Sequence, residues 1–161
     1  MGNGFSGRIK GTKEPYLLVL SERKTRKEII ELIPDKTAES VGKALDRIEK
    51  RLGVVKFRET FKTITTDNGS EFRNWKIIEK SYTGSKKART SQYFADAYCS
   101  WQRGTNENIN KMIRRFLPKG TSFKNLTQEE VKKIEKWINN YPRKILKFKT
   151  SEEYYQEEKV A

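Results

Sequence analysis

A chain of 161 residues is long enough for one domain with a proper core. Its charge is one-sided: 35 Lys and Arg against 21 Asp and Glu leave +14, which favours a polyanionic partner, most commonly nucleic acid. The absence of histidine and the single cysteine, Cys99, exclude His-ligated zinc, Ser-His-Asp triads, histidine bases and an internal disulfide. One thiol also points to a reducing, cytoplasmic compartment, and no apolar run approaches the ~20 residues of a membrane span.

In chain order, Tyr16–Leu20 reads as a buried strand and Lys27–Ile33 as its hairpin partner, joined by the polar link Ser21–Arg26 and stopped by Pro34. A helix follows from Thr37 to Leu52, because Val41, Ala44, Leu45, Ile48 and Leu52 recur at helical spacing and Gly53 supplies a stop. Thr60–Thr66 is β-branched and predicts a strand ending at Asp67. Asn68-Gly-Ser70 turns the chain, and a short helix is expected over Glu71–Lys80 with Phe72, Trp75 and Ile78 on one side. Tyr82–Thr90 has no periodicity and reads as a mobile surface loop. After a strand at Ser91–Ala95, a helix over Gln102–Phe116 turns Ile109, Met112, Ile113 and Phe116 inward and Glu107, Asn110, Lys111 and Arg114 outward. Thr127-Gln-Glu-Glu130 is a capping box, Asn140–Arg143 ends the helix it opens, and Thr150-Ser-Glu-Glu153 caps a terminal helix. The order is that of one mixed α/β domain spanning 1–161.

Two segments set acids among small and amide residues: Ile64–Phe72 with Asp67, followed four residues on by Glu71, and Trp101–Asn108 with Glu107. Taken alone, Asp67-Asn-Gly is a turn signal, and Glu107 is a solvated helix residue with Lys111 one turn on. A carboxylate at a strand end and another on a helix can equally hold hard divalent cations through oxygen. Gly69 would let a bound phosphate come close to the backbone. Glu71 reads as a DNA-facing or supporting residue, or as a favourable acid in a first helical turn. Glu14, Glu22 and Asp35 read as surface acids, and Phe94, Tyr98 and Trp101 as packing residues. The positive excess lies around the motifs, +6 over residues 1–66 and +6 over 67–120, against +2 over 121–161.

These motifs, with Glu22-Arg-Lys-Thr-Arg26, Tyr93-Phe-Ala-Asp96, Phe116–Thr121 and Asn139–Arg143, resemble the catalytic core of insertion-sequence transposases of the IS-thirty family. That family sits in the Asp-Asp-Glu transposase and retroviral-integrase group, and the resemblance runs from about Gly11 to Tyr155. It implies a ribonuclease H-like (integrase core) fold, a mixed sheet flanked by helices. It also implies DNA cleavage and strand transfer assisted by two Mg²⁺ (or Mn²⁺) ions. Asp67 and Glu107 match the second and third catalytic acids and metal ligands, and their carboxylates should converge on a metal. The family opens its core with Trp-Glu-x-Asp-Thr-Val; sliding that pattern back from Gly11 puts Asn3 where the first Asp is expected. The expectation is therefore an impaired core with a degraded or truncated first strand and no preceding helix-turn-helix domain.

Asp96 matches a family position outside the triad, where it would order a loop. Arg103, Asn108, Asn110, Lys111, Arg114, Arg115 and Lys119 are the expected DNA contacts. The partners implied are double-stranded DNA at element ends and target, with a second copy or full-length transposase, in a nucleoid-associated bacterial setting. The alternative is a catalytically silent relative that occupies DNA or pairs with full-length transposase.

Overall fold

The computed structural model describes the backbone of residues 2–6, 14–95 and 100–160, and the side chains of 14–95 and 107–158. Five strands form one sheet in the order β3-β2-β1-β4-β5: β1 Gly2–Ser6, β2 Tyr16–Ser21, β3 Glu28–Ile33, β4 Thr63–Thr66 and β5 Ser91–Phe94. The first three strands form an antiparallel meander, whereas β1–β4 and β4–β5 are parallel. The helices are α1 Ala38–Leu52, α2 Val54–Thr60, α3 Trp75–Glu79, α4 Ser100–Arg114, α5 Gln128–Asn139 and α6 Ser151–Val160.

The continuous apolar run of β2 follows from burial on both faces, since successive side chains alternate. Leu17 and Val19 join Ile30, Ile109, Ile113, Val131, Ile134 and Ile138 in a core under α4 and α5. Leu18 and Leu20 join Val41, Leu45, Ile48, Phe57, Ile64, Phe72 and Ile78 under α1–α3. Thr37 caps α1, and Thr127 with Glu130 forms the expected capping box of α5.

β3 is an edge strand, and α5 closes it with side chains. Asn139 Oδ1, Glu135 Oε2 and Gln128 Oε1 accept from the N–H groups of Glu28, Ile30 and Leu32 at 2.8, 2.6 and 2.7 Å. Lys132 Nζ, Gln128 Nε2 and Asn139 Nδ2 donate to the carbonyls of Ile30 and Glu28. Residues 128, 132, 135 and 139 share one helix face, while 28, 30 and 32 share one strand side. The polar stripe thus satisfies an edge that would otherwise template pairing with another chain.

Several expectations change. The strand expected over Thr60–Thr66 starts only at Thr63, and α2 occupies Val54–Thr60, where no helix is expected. The helix expected over Glu71–Lys80 is a 3-10 turn, Ser70–Phe72, followed by α3, with Trp75 exposed. Phe116 lies beyond α4 and is partly exposed, its ring edge-on to Trp137 at 4.9 Å. Phe94 is exposed and Glu14 is buried, where it accepts from Ser122 and Phe123. Asp96, Tyr98 and the side chain of Trp101 fall outside the described residues.

The expected loose loop at Tyr82–Thr90 is anchored at both ends. Arg89 is fully buried and donates to the carbonyls of Ile77 and Ile78 at 3.0 and 2.7 Å and to Asp46 at 2.5 Å. Buried Glu49 lies 3.5 Å from Arg89 and accepts from Ser81 Oγ and Tyr82 N–H. A charged side chain hides in a stretch whose composition reads as solvent-facing.

Candidate active site

The site is built where the start of β1 meets the end of its parallel neighbour β4. Gly2 is in register with Thr66, so Asn3, one residue into β1, is the strand position nearest to Asp67 just past the end of β4. The side chain of Asn3 lies outside the described residues. Asp67 leaves β4 exposed, and its Oδ1 accepts from the N–H of Gly69 at 3.1 Å. That bond is the turn-forming role that Asp-Asn-Gly predicts, and it engages only one oxygen of an exposed carboxylate.

Glu71 supports the turn from below. It is buried, Lys36 Nζ lies 3.2 Å from Oε1, and Oε2 has no hydrogen-bond partner. A Cβ on Gly69 would sit 2.6 Å from that Oε2. A side chain at position 69 would therefore force the Glu71 carboxylate to shift, a nearer reason for the glycine than the approach of a phosphate. Burial also removes Glu71 from any DNA-facing role.

Glu107 sits on the exposed face of α4, whose opposite face is fixed by buried Ile109 and Ile113. Among the described residues no ion pair joins Glu107 to Lys111, so the solvated i,i+4 pairing is not formed. Asn108 and Lys111 are exposed on this helix and Asn110 is partly buried. Arg114 hydrogen-bonds to the carbonyls of Leu117 and Pro118 and so caps the helix end. Arg115 lies over the rings of Trp137 and Tyr141 at 5.7 and 5.4 Å. Lys119 is exposed; the side chain of Arg103 lies outside the described residues.

Two cavities, of about 740 and 500 Å³, lie elsewhere, between the β2–β3 hairpin, α2 and Tyr155; the second reaches only Thr65 along β4. Among the described residues no group of three Asp, Glu or Cys side chains gathers for a metal. Asp67 and Glu107 offer hard carboxylate oxygens at accessible positions, a donor chemistry that fits a divalent oxygen-seeking ion but lacks a third acid.

Comparison with known proteins decides the family. The chain is 38% identical over 153 residues to the transposase InsI of insertion element IS30A from Escherichia coli, covering 95% of this chain and 37% of InsI. It is 31% identical over 176 residues to the transposase of IS4351 from Bacteroides fragilis, covering 97% and 52%. The chain belongs to the IS30 transposase family. It spans roughly a third to a half of the length of these relatives. No family profile matches it. Its fold is that of the catalytic core of bovine immunodeficiency virus integrase, with TM-score 0.65, 16% identity and coverage of 99% and 93%. The ribonuclease H-like architecture expected from the motifs is therefore the observed one.

The family segments now have physical roles. In Glu22–Arg26, the Glu22 carboxylate accepts from Lys24 N–H, Thr25 N–H and Thr25 Oγ1, closing the hairpin around a left-handed Arg26. Those local bonds hold the Glu22 carboxyl below its usual range against the opposing pull of burial. In Asn139–Arg143, Asn139 clamps the Glu28 backbone and Arg143 lies 3.8 Å from the buried Glu28 carboxylate. Both segments are architecture, which motif reading alone does not separate from chemistry.

Proposed function

We infer that the chain is the catalytic core of a DNA transposase, built for metal-dependent phosphodiester cleavage and strand transfer and impaired by Asn3 in place of the first catalytic Asp. The observation that supports this reading is the β1–β4 register, Gly2 beside Thr66, in an integrase-type sheet: it brings the start of β1, where Asn3 lies, next to the turn that carries Asp67. Asp67 and Glu107 would hold Mg²⁺ or Mn²⁺; when bound, such an ion activates a nucleophilic oxygen and stabilises the leaving one. The chain's own groups do the rest. Gly69 N–H fixes Asp67, buried Glu71 with Lys36 supports the turn, and α4 presents Glu107 from a packed face. Lys111 and Lys119 supply exposed positive charge for phosphates, with Asn108 and Asn110 as polar contacts on the same helix.

An amide at position 3 offers a neutral oxygen and no negative charge, so a two-ion site of three carboxylates is short of one. The substrate is double-stranded DNA, at element ends and target. A second copy or a full-length transposase is the natural partner of a core in this state.

The test is nicking of supercoiled plasmid in Mg²⁺ or Mn²⁺. The unaltered chain should nick barely or not at all, and Asn3→Asp should raise nicking at least tenfold in a manner abolished by Asp67→Ala. Robust nicking by the unaltered chain would show that another carboxylate has taken the first acid's place. No nicking in either form, with DNA binding intact, would favour a silent DNA-occupying protein.

A further inference from the structure

Between α5 and α6 the chain makes a knuckle that the site described above does not use. Residues 143–149 read Arg-Lys-Ile-Leu-Lys-Phe-Lys, and no acid occurs between Lys136 and Ser151. The knuckle is closed on itself by backbone bonds. Arg143 N–H donates to Lys149 O at 3.1 Å, Phe148 N–H to Arg143 O at 3.0 Å, and Lys149 N–H to Leu146 O at 3.0 Å. A 3-10 turn, Lys144–Leu146, adds Leu146 N–H to Arg143 O and Lys147 N–H to Lys144 O. Leu146 is buried as its root, and Arg143 Nη2 hydrogen-bonds to Ile138 O.

Two features separate this loop from an ordinary connection. Lys147 and Phe148 are consecutive non-glycine residues in the left-handed region, at φ 54° and 64°. Each such residue costs on the order of 1 kcal/mol or more and persists only where the surroundings impose it; such strain gathers at binding and catalytic sites. Second, what the strained turn presents is apolar: Phe148 is 72% exposed and Ile145 68% exposed, with Val55 the three most exposed large apolar side chains among the described residues. Ile145 and Phe148 each follow a lysine in the chain, Lys144 and Lys147, whose ammonium groups meet no carboxylate among the described residues, whereas Lys149 is held by Glu157 at 2.7 Å.

We propose that this knuckle is a second DNA-contacting element, separate from the α4 face. Phe148 and Ile145 press against bases or sugars in a groove while Lys144 and Lys147 take the flanking phosphates. The charge sign selects DNA over a protein partner, since a basic tip with no acid repels a second copy of the same tip. An apolar side chain on a rigid, cationic mount is the combination that lets proteins wedge or stack on nucleic acid. A preorganised loop also loses little conformational entropy on binding. The proposal rests on the reading of the chain as a DNA-acting core.

The test is equilibrium binding of a fluorescent 30-base-pair duplex across salt concentrations, with thermal melts to confirm folding. Lys144→Gln with Lys147→Asn should flatten the slope of log affinity against log salt by about 2, since each lost phosphate contact removes ~0.9. Phe148→Ala should weaken binding about fivefold or more with little change in slope, and Phe148→Leu should recover part of it. Parental affinity and slope in all these variants would overturn the proposal and leave the DNA reading standing. No duplex binding by the unaltered chain would remove the DNA reading itself. If Phe148→Ser instead changes only self-association in sedimentation, the knuckle is a protein contact and the proposal is wrong.

Discussion

Arg89→Met should destabilise the protein severely, because Arg89 is the one positive charge in a buried polar knot. Its guanidinium satisfies the Ile77 and Ile78 carbonyls at the end of α3 and neutralises Glu49 and Asp46 on α1. Methionine fills most of the volume but donates nothing. Two carbonyls lose their donors, and Glu49 keeps only Ser81 Oγ and Tyr82 N–H around a buried negative charge. Removing one partner of a buried pair costs about 3–5 kcal/mol, a large part of the ~5–15 kcal/mol that holds a domain together. In a domain this size that is a fall in Tm on the order of 10 °C. Arg89→Lys should recover only part of it, since one ammonium cannot reach both carbonyls and both carboxylates. Adding Glu49→Gln to Arg89→Met should restore some stability by removing the stranded charge. Urea unfolding followed by circular dichroism measures each step. A loss below about 1 kcal/mol for Arg89→Met would refute the account of the 82–90 segment as an anchored strap.

Stability should also depend on pH through Glu28. Burial pushes its carboxyl up to about 7, against the lowering effects of the Ser21 hydroxyl and the Arg143 guanidinium. The folded state thus holds a proton that the unfolded state releases near 4.5, so this stability is complete below pH 4.5 and is lost as pH rises through 7, by about 3 kcal/mol. The urea midpoint of the unaltered chain minus that of Glu28→Gln should fall between pH 5 and 8; a constant difference contradicts the assignment. Gly69→Ala should cost about 1–3 kcal/mol by overpacking against Glu71, and much less in a Glu71→Ala background. Additive losses in that double variant would show that the two do not touch. Lys111→Glu should weaken duplex binding alike for all sequences, with affinity falling steeply between 50 and 200 mM salt.

Much of this was legible in the sequence where period and punctuation agree. Strands β2 and β3, helices α1 and α5 and both caps follow from apolar spacing with Thr and Gly at the ends. The Asp67 turn was legible because Asp-Asn-Gly has a local mechanism. Helix α2 was not: one buried residue, Phe57, in seven leaves no periodicity, and its β-branched start imitates a strand. The stripe Gln128, Lys132, Glu135 and Asn139 looks like a solvated face because its partners are backbone groups of a distant strand. Arg89 was missed, and Glu71 was left open between a supporting and a DNA-facing role, for the same reason: sequence gives charge but not burial, and both have ion-pair partners on α1 or just before it. Asn3 was marked by the family pattern alone; its place beside the Asp67 turn comes only from the β1–β4 register, which no periodicity in a five-residue strand reveals.

The central claim is that Asp67 and Glu107 serve one divalent ion. Titration of the folded chain with Mn²⁺, read by paramagnetic broadening of assigned amide signals, addresses it directly. Broadening should appear together around residues 66–70 and 106–109, be lost in Asp67→Asn, weaken in Glu107→Gln, and tighten markedly in Asn3→Asp. Broadening at only one of the two segments, or a response unchanged in Asp67→Asn, would contradict it.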